Sequence, residues 1–316
     1  MNTTAKLSAY GAALVLVAGG AWAIGTAVGP FSSAAGVHGG EDAGHGDTHS
    51  GTVAEAAKNE EPGGLASSRG GYTLTPTSTT LTPGKQTPFT FRITGPDGAG
   101  VTAYDVEHEK RLHLIVVRRD TAGFQHVHPE LAADGTWSVP LTVADAGSYR
   151  AFADFKPTGA EATTLGVDLV APGDFRPVEY APSQTSTVDG YQVRLDGVLT
   201  AGSTSKVTVT VTKDGRPVTD LQPYLGAYGH LVALRGGDLA YLHVHPDGMP
   251  GDGKTPAGPA VTFFAEVPTA GTYRLFLDFQ HAGKVRTAEF TVATSGTPTT
   301  AGTPAPPAEP GHGAHG

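Results

Sequence analysis

The chain repeats itself, and the repeat governs what it can fold into. His113, His126 and His128 recur as His230, His243 and His245 at a constant offset of 117. Asp97-Gly98 recurs as Asp214-Gly215, and Pro129 as Pro246, at the same spacing. Further on, GSYRAFADF (147–155) recurs as GTYRLFLDF (271–279) at an offset of 124. The second copy has therefore gained seven residues between these landmarks. They fall in the Pro/Gly-rich stretch Asp247 to Pro259, which reads as an enlarged loop. Self-similarity of this kind means two copies of one structural unit.

Each copy has roughly 100 residues and short strands punctuated by turns, the size and rhythm of an immunoglobulin-like sandwich. In copy one the pattern predicts strands near 72–80, 87–94, 111–118, 124–128, 136–143, 148–155 and 163–170. The high content of Gly (44) and Pro (24), with only 16% charged residues, favours strands over long helices. Asp145-x-Gly147-x-Tyr149 resembles the corner before strand F of immunoglobulin domains, where a Tyr hydroxyl bonds back to the backbone. Copy two keeps Gly271-x-Tyr273 but has Thr269 for the Asp. The expected fold is all-β, with two tandem immunoglobulin-like β-sandwich modules after an N-terminal transmembrane or signal helix. Module 1 is expected over 71–172, a Pro-rich, semi-rigid linker over 173–184 and module 2 over 185–293.

The flanks read differently. Ala9 to Gly29 is an apolar run of about the ~20 residues that cross a bilayer, preceded by Lys6 and followed by acidic residues from Glu41. The positive-inside rule then puts the remainder outside the cytoplasm. Residues 1–35 are expected to be a single-pass signal anchor in the cell membrane, or a signal peptide cleaved after Ala23 to give a secreted protein. Residues 36–70, with His38, His45 and His49 among acidic residues, are expected to be a disordered stalk. Residues 294–316 are expected to be a disordered Thr/Pro/Gly tail with His312 and His315.

Charge and residue type exclude several function classes. A net charge of -9 opposes nucleic-acid binding. The absence of Cys removes disulfides, thiolate catalysis and blue-copper centres, and Met249 is the only Met after the start, which disfavours a Cu(I) thioether site. No hydrolase motif such as G-x-S-x-G appears, so the chain is not expected to be an enzyme.

Histidine is what remains. His113 opens the strand HLIVVR, and His126 and His128, two residues apart, share one face of the next strand. A hairpin with an even-length loop would put all three rings together, and an odd one would separate them. In copy two, Arg235-Gly236-Gly237-Asp238 fits a two-residue loop that would set His230 directly opposite His243. The expected metal ligands are His113, His126, His128, His230, His243 and His245, with Asp154 and Asp278 on the neighbouring strand as additional ligands. His281 has no counterpart in copy one, and His108 none in copy two.

With the repeated H-x12-H-x-H-P and YR-x-F-x-DF motifs, residues 71–293 resemble exported actinobacterial heavy-metal-associated secreted proteins. More distantly they resemble YtkA-like and CopC-like copper-binding domains. The resemblance implies a β-sandwich that holds or passes on copper outside the cytoplasm. The expected function is a non-enzymatic chaperone or buffer for Cu(II), or less readily zinc, releasing metal below about pH 6 as imidazole protonates. The partners would be the membrane and a metal transporter or oxidase-assembly protein. The alternative is a metal-free interaction module docking such a partner.

Overall fold

The computed structural model describes residues 61–242 and 244–295. Among them there is no helix, hence none long and apolar enough to cross a membrane. The expected leader, most of the stalk and tail, their histidines and His243 lie outside the described residues.

The first module contains β1 (Ser68–Arg69), β2 (Tyr72–Pro76), β3 (Thr87–Thr94), β4 (Leu112–Arg118), β5 (Gln125–Val127), β6 (Glu130–Leu131), β7 (Thr136–Leu141), β8 (Gly147–Phe155) and β9 (Thr163–Ala171). They form two antiparallel sheets, β1-β2-β3-β7-β6 and β5-β4-β8-β9. The second repeats this with β10 (Thr185–Val188), β11 (Tyr191–Gly197), β12 (Ser203–Lys213), β13 (Arg216–Pro217), β14 (His230–Arg235), β15 (Tyr241–Leu242), β16 (Val244–Pro246), β17 (Ala260–Val267), β18 (Thr272–His281) and β19 (Lys284–Ala293). Its sheets are β10-β11-β12-β17-β16, with β13 on β12, and β15-β14-β18-β19. These are tandem immunoglobulin-like sandwiches. Both tyrosine corners form: Tyr149 donates to Asp145 O at 2.8 Å and Tyr273 to Thr269 O at 2.7 Å. The backbone carbonyl accepts, so the corner bond forms with either Asp or Thr at that position.

Each sandwich has its own core, and a third apolar cluster joins the two. Every residue of β4 is buried. Leu112, Leu114 and Val116 face the core of their own module, while Ile115 and Val117 meet Val232 and Leu234 of β14, with Phe152 and Phe276 alongside. Contacts are reciprocal: Phe124 stacks on Phe276 at 4.0 Å, and Tyr241, the counterpart of Phe124, packs on Phe152, the counterpart of Phe276, at 5.8 Å. The modules thus meet as the halves of a two-fold dimer do. Buried side chains of this size contribute roughly 1.5–3 kcal/mol each. The coupling between modules therefore resides in a packed face, not in the linker alone as the sequence suggested.

A second correction concerns the stalk. From residue 61 the segment is part of the fold: β1 pairs with β2, Gly64 N donates to Thr164 O, and the Arg150 guanidinium donates to the carbonyls of Gly64 and Leu65 at 2.6 and 2.7 Å. A Cβ at Gly166 would lie 2.1 Å from Gly64 O, so glycine is required there. The segment's role is to offer backbone acceptors, which leaves no hydrophobic period to read.

Candidate metal centre

The hairpin loop of the first module has the parity that brings its histidines together. β4 and β5 pair as Leu114↔Val127 and Ile115↔His126, so His113, His126 and His128 share the outer face of the sheet. Asp120 holds the turn, accepting from Arg118 Nε and Nη2 at 2.8 Å and from Ala122 N. The three rings offer nitrogens that all lie within 4.8 Å of one another. Ligands on a tetrahedral ion with bonds near 2.0–2.1 Å sit about 3.3 Å apart, so modest ring rotations would close the set.

The second module's hairpin keeps the register of the first, Ala233↔Leu242 matching Val116↔Gln125. Its loop is longer than a two-residue turn: Arg235 N donates to Ala240 O, Asp238 accepts from Arg235 and Ala240 N, and β14 pairs with β15 as Ala233↔Leu242. Leu239, at φ 63°, turns into the apolar seam between the modules. The register is therefore two residues beyond the one that would set His230 opposite His243. The chain then leaves this sheet, and β16 joins β17, leaving His245 exposed opposite Phe264 on the other sheet.

His230 joins the first module's histidines. Its ring centroid lies 5.5 Å from that of His113, stacked at 13°, and 4.8 Å from that of His126. Asp278, paired with His230 across β14 and β18, reaches over the seam so that its Oδ2 is 2.7 Å from His126 Nδ1. Thr287 donates to the other oxygen. Both His126 and Asp278 are almost fully buried. Asp154 pairs with His113 across β4 and β8, and its Oδ1 accepts from Thr164 Oγ1. The aspartates thus stand beside the rings, Asp278 as an orienting acceptor.

The hydrogen bonds set the tautomers. Glu107 O, 3.1 Å from His113 Nε2, can only accept, as can the Asp278 carboxylate at His126 Nδ1. Protons on those nitrogens leave lone pairs on His113 Nδ1 and His126 Nε2, which face each other at 3.1 Å. His128 Nε2 and His230 Nδ1 are buried with no hydrogen-bond partner. Burial, reinforced by the neighbouring imidazole His126, lowers His113 to about 4 and His128 to about 3. Burial likewise holds His230 well below the ordinary imidazole value. These three rings are neutral near pH 7, the state that binds metal.

Sequence reasoning missed His108. It lies on an exposed turn with its ring centroid 6.1 Å from His113 and 5.7 Å from His230. His281 is elsewhere, bonded to Tyr191 and Asp220. Two surface hollows lie away from the cluster. One of about 340 Å³ lies against Gln184 and Leu195, and one of about 390 Å³ around Tyr180 and Glu289.

The family model described as "Domain of unknown function (DUF8832)" matches residues 66–169 and again 186–296. No curated protein sequence matches the chain. Among solved structures the chain is similar to the Escherichia coli adhesin FdeC, at 17% identity and a TM-score of 0.24, covering 72% of this chain and 65% of that one. Escherichia coli alpha-2-macroglobulin follows at 13% and 0.24, covering 71% and 20%. Invasin, a bacterial integrin-binding protein, matches at 13% and 0.21, covering 69% and 38%. The chain thus spans less than two thirds of each. Likeness at this level says nothing of what the chain binds.

Proposed function

The chain belongs to the DUF8832 family, and on that premise we propose that it binds one divalent transition-metal ion in the seam between its two modules. Cu(II) is the foremost candidate and Zn(II) the second. The ligands are His113, His126, His128 and His230. The observation that carries the reading is the pair His113 Nδ1 and His126 Nε2, 3.1 Å apart with their outer nitrogens already engaged. Two lone pairs at that distance repel unless a cation lies between them. A buried carboxylate behind a histidine is also the usual support of a metal-bound ring. An all-imidazole set without sulfur suits Cu(II) and Zn(II), and Cu(II) heads the affinity order.

The clustered rings are largely buried, and a set made of imidazoles alone suits holding or passing on an ion. In this reading the protein is an extracytoplasmic chaperone or buffer, anchored by or released from its N-terminal segment, and it serves a metal transporter or oxidase-assembly partner. The resemblance to heavy-metal-associated secreted proteins and copper-binding domains points the same way. Equilibrium dialysis of the full-length chain against Cu(II) and Zn(II) tests it. One tight equivalent should bind, and His126→Ala and His128→Ala should each abolish it. No binding, or binding indifferent to both changes, would sink the reading.

A second reading follows from the buried contact between His126 and Asp278. A proton can bridge the two nitrogens as well as a metal can. His126, clamped between Asp278 and His113, would then be a polar staple of a metal-free interaction module. The same dialysis separates the two.

A further inference from the structure

Both modules contain the same two-residue turn ahead of the first histidine strand. Glu107 and Lys110 exchange backbone hydrogen bonds of 2.9 and 3.0 Å, and their counterparts Tyr224 and Ala227 do so at 2.8 and 3.3 Å. All four central residues have positive φ: His108 47°, Glu109 65°, Leu225 55° and Gly226 77°. Such turns want Asn-Gly or Asp-Gly, because other L-residues resist the left-handed region. Copy two meets half of that demand with Gly226 and folds Leu225 into the protein at 1% exposure. Copy one has no Gly at either place: His takes up the left-handed region more readily than most residues, but Glu109 does not, and His108 stands in solvent. A turn held in this conformation with an exposed imidazole at its tip points to a use for that side chain.

The surroundings suggest the use. The His108 ring meets His113 and His230 edge-on, at 70° and 83°, and these two rings are stacked on each other. The same turn supplies Glu107 O, which holds His113 Nε2. An exposed imidazole is thereby placed next in the chain to the carbonyl that holds a buried one. Nothing comparable occurs on the second module, where Leu225 occupies the equivalent place.

We propose that His108 is the entry ligand of the buried site. It replaces water on a hydrated divalent cation at the surface and passes the ion to His113 and His230, without belonging to the resting ligand set. The inference rests on the metal-binding reading. A group that takes part only in transit accelerates uptake and release equally and leaves the equilibrium unchanged.

The test is stopped-flow mixing of the metal-free, full-length chain with Cu(II), and separately Zn(II), for the wild type, His108→Asn and Glu109→Gly. Asn accepts the left-handed conformation, so His108→Asn keeps the turn while removing the imidazole. Its uptake and release should both slow about tenfold, with an unchanged stoichiometry and a dissociation constant within about threefold of wild type. Glu109→Gly relaxes the turn but keeps His108, and should exchange metal at the wild-type rate. Unchanged rates in His108→Asn would overturn the entry role, as would a weakened equilibrium affinity matching the loss in rate. A wild-type chain that takes up neither ion would overturn the metal reading itself.

Discussion

His126 Nδ1 in the first module and Asp278 Oδ2 in the second lie 2.7 Å apart, a buried pair spanning 152 positions of chain. It fixes one ring of the cluster from across the seam, so the site exists only while the modules are packed together. Asp278→Asn keeps the shape but weakens the acceptor. Metal affinity should fall by about 10–100-fold, the usual cost of losing a carboxylate behind a ligating histidine. Calorimetric titration with Cu(II) checks this, with circular dichroism to show that the fold persists.

The histidines of the two copies should behave differently. His128→Ala should remove tight binding, whereas His281→Ala, whose ring is bonded to Tyr191 and Asp220 away from the cluster, should leave it within about twofold. Paired dialysis of the two variants measures the contrast.

Stability should depend on pH with a definite sign. His113 and His128 fall from 6.5 when unfolded to about 4 and about 3 when folded. Between those values the unfolded chain binds more protons, so acid favours unfolding. The stabilising contribution is full above about pH 6.5 and is lost as pH falls towards 4 and then 3, amounting to a few kcal/mol. Urea unfolding of the metal-free chain at pH 7.5 and pH 5 should show the midpoint falling. The same neutral rings should hold metal to lower pH than free imidazole would, below the value near 6 expected from an unperturbed histidine.

The seam should be energetically real. Phe276→Ala removes the partner of Phe124 and part of a fully buried cluster, and should cost about 3–5 kcal/mol. Because Asp278 sits two residues along β18, metal affinity should fall with it. Denaturant unfolding and a Zn(II) titration of the same variant measure both effects.

Much of this was legible in the sequence. The offsets gave the duplication, alternation gave the strands, and the tyrosine corners announced the sandwich. HLIVVR is apolar at nearly every position, the signature of a strand buried on both faces. Such a strand needs a covering layer, and the other module supplies it. The path after the second hairpin was not legible. Both hairpins keep one register, Val116↔Gln125 and Ala233↔Leu242, but β16 then pairs with β17 and carries His245 to the other sheet, a tertiary pairing that no local pattern encodes. His108 left a faint signal, a His-Glu turn where the other copy has Leu-Gly.

The central claim is a single site shared by both modules, and electron paramagnetic resonance of the full-length chain titrated with Cu(II) tests it most directly. The account predicts one tight equivalent with several coupled imidazole nitrogens, lost when His113 and His230 are both changed to Ala. Two equivalent sites per chain, or a nitrogen-coordinated signal that survives that double change, would contradict it.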